Sequence, residues 1–117
     1  TGHYLYGGGN PVDAARRYGR RIWHVHLKDV NAGVLARVVA DGVEYNAAVR
    51  AGVFAPIGQG AVDFRGVFAA LREAGYGGWV VVEQDVMAGP DGRLTSDPLA
   101  NAVASRQAVA RFAGEEG

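Results

Sequence analysis

Cysteine is absent from the chain, which excludes disulfide bonding and thiolate chemistry. Net charge is absent too. The 117 residues carry 12 Lys and Arg against 12 Asp and Glu, so no basic stripe of the kind that grips nucleic acid is expected. No run approaches the roughly 18 apolar residues of a membrane-spanning helix, and no charged and then apolar leader opens the sequence. A cytoplasmic protein with neither nucleic-acid nor membrane partners is the resulting expectation. An initiator methionine is also missing, because the chain opens on TGH; this suggests a processed or cut terminus and an incomplete domain. Glycine, by contrast, is abundant: 18 residues, against a usual share of about 7%.

The glycines and prolines divide the chain into short elements. Residues 1–9, TGHYLYGGG, read as loop, since three consecutive glycines disfavour helix and strand. Asn10 followed by Pro11 is a helix start. The helix PVDAARRYG is expected to pack through Ala14, Ala15 and Tyr18 and to end at Gly19. RIWHVHLKD reads as a strand with Ile22, His24, His26 and Lys28 on one face and Trp23, Val25 and Leu27 on the other. A helical insert over residues 31–53, broken near Gly42, precedes the loop PIGQG at residues 56–60. Asp63 can cap a helix in which Phe64, Val67, Phe68 and Leu71 recur at helical spacing. GGWVVVE follows as a strand apolar on both faces, which suits a parallel strand covered on both sides. Beyond a turn at GPDG, Asp97 and Pro98 open a last helix to about Ala110, with Leu99, Ala102, Val103 and Ala110 as its apolar stripe. Strands alternating with helices predict an α/β fold with a parallel sheet. A closed barrel of that kind needs about 250 residues, so the rest would come from a missing N-terminal portion or a partner chain.

Polar groups gather where the two strands end. His24, His26, Lys28 and Asp29 close one strand; Glu83 closes the other, with Gln84 and Asp85 just beyond. In parallel β/α folds that end is the functional one. A carboxylate ending an apolar strand needs a proton, a cation or a metal. Imidazole and carboxylate together suit Mn²⁺, Co²⁺, Zn²⁺ or Fe²⁺, and His3 could join the same rim. Simpler readings compete. His24 could hydrogen-bond internally, Lys28 and Asp29 could form a surface ion pair of little value, Glu83 could pair with Lys28 and bind nothing, and PIGQG could be only a turn. The glycines at 7–9 do not form a dinucleotide loop, since no G-x-G-x-x-G occurs.

The pieces TGHYLYGGG, RIWHVHLKD, AVRAGVF, IGQGAVDF and LREAGYGGWVVVEQD resemble the inosose dehydratase family of the xylose-isomerase-like TIM-barrel group, over nearly all of residues 1–112. The resemblance implies that the chain is the C-terminal portion of a (β/α)8 barrel, the last two to three β/α units. It implies one divalent metal at the barrel mouth, Mn²⁺ or Co²⁺ with Zn²⁺ or Fe²⁺ as alternatives, held by Glu, Asp, His and Glu from four successive strands. The histidine falls on His26 and the last glutamate on Glu83. The aspartate would directly precede Thr1, and the first glutamate would lie earlier still. His3 matches a histidine that contacts substrate hydroxyls in related epimerases. Where those epimerases carry an arginine six residues after the ligand histidine, this chain has Ala32, a departure that weighs against ketose epimerisation.

The implied activity is dehydration of an inosose, with His3, Lys28 and Glu83 as catalytic candidates and His3, His24, Lys28 and Asp29 as substrate-binding candidates. His24 is expected to pack below the metal, and Asp29 to begin the loop over the site. The implied partners are a small polyol or inosose and the N-terminal barrel portion, with room for homo-oligomer formation. With two of four metal ligands, the chain alone is expected to be inactive. Alternatives are a sugar or hydroxypyruvate isomerase or epimerase of the same group, a metal-dependent endonuclease disfavoured by the neutral charge, and a non-catalytic barrel remnant.

Overall fold

The computed structural model describes residues 1–114. Its first element corrects the reading of residues 1–9 as loop: helix α1 runs Gly2–Tyr6. The glycine run begins only at Gly7, so its conformational freedom falls after the helix, where Gly8 adopts φ +89°. Gly2 is there for proximity. A Cβ at that position would lie 2.8 Å from the Lys28 carbonyl oxygen, so only glycine lets α1 press against residue 28. Helix α2, Pro11–Tyr18, starts as the sequence predicts, with Asn10 Oδ1 accepting from the Val12 and Asp13 amides. Its buried side is Val12 and Ala15, while Tyr18 is exposed. A 3₁₀ turn at Gly19–Arg21 leads out of it.

The strand expected over RIWHVHLKD is two short ones. β1 spans Val25–Leu27 and β2 spans Asp29–Val30. Lys28 separates them because its backbone is taken elsewhere: its N–H donates to Thr1 Oγ1 at 2.9 Å, and the same hydroxyl donates to its carbonyl at 2.8 Å. β2 pairs antiparallel with a strand absent from the sequence reading, β3 at Phe54–Ala55. Between them lie α3, Ala32–Asp41, capped by Asn31, and α4, Tyr45–Arg50, capped by Glu44. Gly42, at φ +60°, stops α3 in the left-handed region where a side chain is disfavoured. α5, Phe64–Glu73, begins at the expected Asp63 cap. β4, Val80–Val82, pairs parallel with β1, Val25 opposite Val80 and Leu27 opposite Val82. α6, Pro98–Ala113, begins at the expected Asp97 cap.

Two apolar cores follow. Leu27, Ile57, Phe64, Val67, Phe68 and Leu71 pack between β1 and α5, with Ala108 of α6 against them. Val30, Val34, Val38, Ala48, Val49 and Val53 fix the α3 and α4 pair onto β2. The expected stripe of α6 is wrong in face. Leu99 and Val103 are exposed, and the buried positions are Ser105 and Ala108. The reason is close approach: a Cβ on Gly58 would lie 3.2 Å from the Ala108 methyl, so the contacting side of α6 needs small residues rather than the most hydrophobic ones. β4 is parallel as expected, but it is not covered on both faces among the described residues: Trp79 is 78% exposed and Trp23, beside β1, 87%.

Ser105 Oγ is the partner of the buried Ile57 amide, 3.0 Å away. An unsatisfied buried donor costs about 1–3 kcal/mol. Ser105→Ala is therefore expected to lower the unfolding free energy by about that amount in urea titration, with the circular dichroism spectrum unchanged; equal stability of the two proteins would contradict the assignment.

Candidate active site at the strand ends

Because β1 and β4 run parallel in register, the residues just past them meet. Lys28 follows β1, and Glu83 and Asp85 follow β4. The Lys28 side chain reaches both carboxylates: Nζ lies 2.9 Å from Glu83 Oε1 and 2.6 Å from Asp85 Oδ2. His3 Nε2, brought in by α1, is 3.4 Å from the same nitrogen, and the Phe54 ring of β3 has its centroid 4.5 Å away. Lys28 is 1% exposed. An ammonium out of water costs several kcal/mol unless opposite charge and hydrogen bonds replace its hydration. Two carboxylates and an aromatic face do so here.

Protonation follows from this enclosure. Burial pushes the Lys28 ammonium down, but the hydrogen bonds and charges of Asp85 and Glu83 outweigh it, so its pKa lies above the ordinary lysine value. Burial pushes the Glu83 carboxyl up; the hydrogen bond and charge of Lys28, then the bond to His26, outweigh that and hold it below the ordinary range. Burial, and next the Asp85 charge, raise the Tyr45 phenol, which keeps its proton. Tyr45 Oη is 2.9 Å from His3 Nε2. The Lys28 ammonium faces that same nitrogen, so His3 Nε2 is held between the phenol and the ammonium.

His26 stands beside the ion pair, with Nδ1 3.3 Å from Glu83 Oε2. It is open to solvent, its side chain 51% exposed. This imidazole and carboxylate form one edge suited to a borderline divalent ion. They do not complete a site by themselves. Among the described residues no group of three or more His, Asp or Glu converges as a metal shell. The place where His3, Glu83 and Asp85 do converge holds the Lys28 ammonium instead.

The structure thus brings His3, His26, Lys28 and Glu83 together, and separates Asp29 from them. Asp29 was expected at the substrate, or in a surface ion pair with Lys28. It is 0% exposed, and its carboxylate accepts four backbone amides: Val30 and Val62 at Oδ1, Gly58 and Gly60 at Oδ2. No acceptor position is left over for a substrate. Lys28 was expected to touch substrate too, yet it is enclosed with almost no free surface, and its ammonium is taken up by Glu83 and Asp85. His24 shares the face of His26, ring centroids 5.1 Å apart, and is exposed rather than packed below it. Asp85, Tyr45 and Phe54 were not candidates. Asp85 could have been found from its two-residue spacing to Glu83; the other two arrive from the insert and β3, for which the sequence offers no chemical signal.

A family model described as xylose isomerase-like TIM barrel matches residues 1–110. Among curated relatives, the inosose dehydratase of Clostridium botulinum (strain Eklund 17B / Type B) is 38% identical over 93% of this chain and 35% of its own length. That of Geobacillus kaustophilus (strain HTA426) is 46% identical over 73% of this chain and 28% of its own, and that of Klebsiella pneumoniae (strain 342) is 42% identical over 97% and 38%. The chain thus spans only about a third of the length of these relatives. No solved structure matches it significantly.

The ion pair sets a pH window. Glu83, with its lowered pKa, contributes stability that is present above the ordinary glutamate value and lost as pH falls through the lowered one. Lys28, with its raised pKa, contributes stability that is lost only as pH rises through the raised value. Lys28→Met leaves Glu83 and Asp85 facing each other without a cation. Its thermal midpoint is expected to lie well below that of the parent at neutral pH and to approach it as the pH drops from about 7 to about 4, across the usual carboxylate range. Parallel pH profiles for the two proteins would contradict this electrostatic assignment.

Proposed function

This chain belongs to the xylose isomerase-like TIM barrel family, and we propose that it is the C-terminal part of an inosose dehydratase. The observation that carries the proposal is the His26 and Glu83 edge beside a buried Lys28, in a chain 38–46% identical to proteins of that name. The reaction is loss of water from 2-keto-myo-inositol (scyllo-inosose), giving a trihydroxycyclohexane-1,2-dione. The proton on the carbon α to the ketone leaves first, and its electron pair forms the enolate. The β-hydroxyl then departs with a proton as water, and the resulting enol rearranges to the dione.

The residues divide this work by their surroundings. His26 and Glu83 would hold one divalent metal, Mn²⁺ or Co²⁺ with Zn²⁺ or Fe²⁺ as alternatives. When bound, the ion supplies Lewis acidity that makes the α proton easier to remove. Lys28 keeps Glu83 ionised and fixes its direction. That carboxylate is also a candidate in this chain for accepting the α proton. His3, oriented by Tyr45, faces the same mouth from α1 and positions or protonates the departing hydroxyl. The fixed positive charge of Lys28 lies behind the carboxylates, where it offsets charge that grows during enolate formation.

The same proposal assigns the uncovered surfaces. Exposed Trp23 and Trp79, and an apolar cleft of about 320 Å³ beside His24 and His26, are the seam against which the N-terminal barrel portion packs. That portion brings two further carboxylates to the metal. Among the described residues no helix is long and apolar enough to cross a membrane.

Two measurements test the reading. The isolated 117-residue chain is expected to show no inosose turnover, whereas the complete barrel shows it; turnover by the chain alone would contradict the shared site. In the complete barrel, His26→Ala is expected to lose most of the bound metal by elemental analysis, and undiminished metal would remove His26 from the ligand set. Interconversion of ketoses or hydroxypyruvate without loss of water would place the protein among the isomerases and epimerases of the family instead.

A further inference from the structure

The use that the fold makes of Asp29 is not explained by packing alone. Its Oδ2 holds the amides of Gly58 and Gly60, at 2.9 and 2.8 Å. The residue between them is Gln59. Gly58 adopts φ +84°, and a Cβ on Gly60 would collide with the Asp29 carboxylate. Both glycines are thus required for the loop to close around the carboxylate, and closure leaves Gln59 turned outward and exposed. Ser105 anchors the same loop from the other side through Ile57. The bonds at positions 57, 58, 60 and 62 fix the loop backbone around one exposed carboxamide, so only the Gln59 side chain remains to be ordered on binding.

Gln59 borders a cleft of about 360 Å³, which lies in the range of small-molecule sites, about 300–1,000 Å³. Glu83 and Asp85 form one wall of this cleft, so it opens directly from the candidate active site. Arg50, Ser96 and Asn101 also line it, with the Asn101 amide donating to Ser96 Oγ at 2.9 Å and its carbonyl oxygen left to accept. Carboxamides, a hydroxyl and a guanidinium, each able to bond hydroxyl groups, make a lining suited to a small polyhydroxylated molecule rather than an apolar one.

We infer that this cleft is the subsite that reads the hydroxyls of the substrate remote from the reacting carbons, with Gln59 as a specificity-determining residue and Asp29 as the positioning residue that holds it. The inference rests on the dehydratase reading for its substrate but not for its polyol chemistry. The remote hydroxyls meet Gln59 and Asn101, while the ketone lies toward Glu83.

The test uses the complete barrel with Gln59→Ala and Asp29→Asn. Turnover of inosose and of an inosose lacking one remote hydroxyl is measured, together with binding of myo-inositol by calorimetry. Gln59 is exposed, so Gln59→Ala is expected to keep the parental thermal midpoint. Loss of one or two hydrogen bonds to substrate is expected to raise KM roughly tenfold with kcat little changed, and to reduce discrimination against the deoxy compound by a similar factor. Asp29→Asn is expected to reproduce the KM defect and to lower the midpoint as well. Unchanged KM, discrimination and myo-inositol affinity in Gln59→Ala would overturn the subsite. If the parent binds myo-inositol but does not dehydrate inosose, and Gln59→Ala weakens that binding, the dehydratase reading fails while the polyol subsite stands.

Discussion

The enclosed Lys28 ammonium is the interaction on which the other contacts of the site depend. It lies between Glu83 and Asp85, under His3 and against the Phe54 ring. Those groups come from the end of β4, from α1 and from β3, so a single buried charge gathers three separate parts of the chain. Removing a charge from water is expensive, and removing one partner of a buried pair is more so. The arrangement therefore tolerates little rearrangement, and Glu83 is presented to His26 in a fixed direction. Fixing a carboxylate before substrate arrives is what an active site needs, because the ordering is then complete before the reaction begins.

The dipeptide Lys28–Asp29 joins this cluster to the rest of the mouth. Lys28 interrupts the strand, with its backbone bonded to Thr1 Oγ1, and its side chain turns to the carboxylates. The next side chain turns away and holds the loop of residues 57–62 by four amides. Two adjacent charged residues, both enclosed, thus set the two sides of the cleft: the Glu83 and Asp85 carboxylates on one and the Gln59 loop on the other. Both are buried, and each orients the groups it holds.

Much of this was legible in the sequence where a local rule decided the outcome. Asn10, Asp63 and Asp97 cap helices because short acceptor side chains before an apolar run satisfy free amides, and no distant contact competes. The meeting of His26 with Glu83 followed from two apolar strands ending in polar residues, together with the resemblance. What failed depended on distant partners. A strand broken at Lys28 requires knowing that Thr1 takes its backbone. The buried face of α6 is set by Gly58 of another loop, not by the hydrophobicity of Leu99 and Val103. Asp29 read as a mouth residue because its charge and place in sequence are those of a surface group; the four amides that bury it come from residues 30–62 and leave no trace at position 29.

The central claim is that the strand-end cluster is one half of a metal-dependent dehydratase site. A crystal structure of the complete barrel with its metal bound tests it most directly. The account predicts one divalent ion with His26 nitrogen and Glu83 oxygen at coordination distance, about 2.0–2.2 Å, completed by two carboxylates from the N-terminal portion, with Lys28 still bonded to Glu83. An ion bound elsewhere, or one that His26 and Glu83 do not touch, would contradict it.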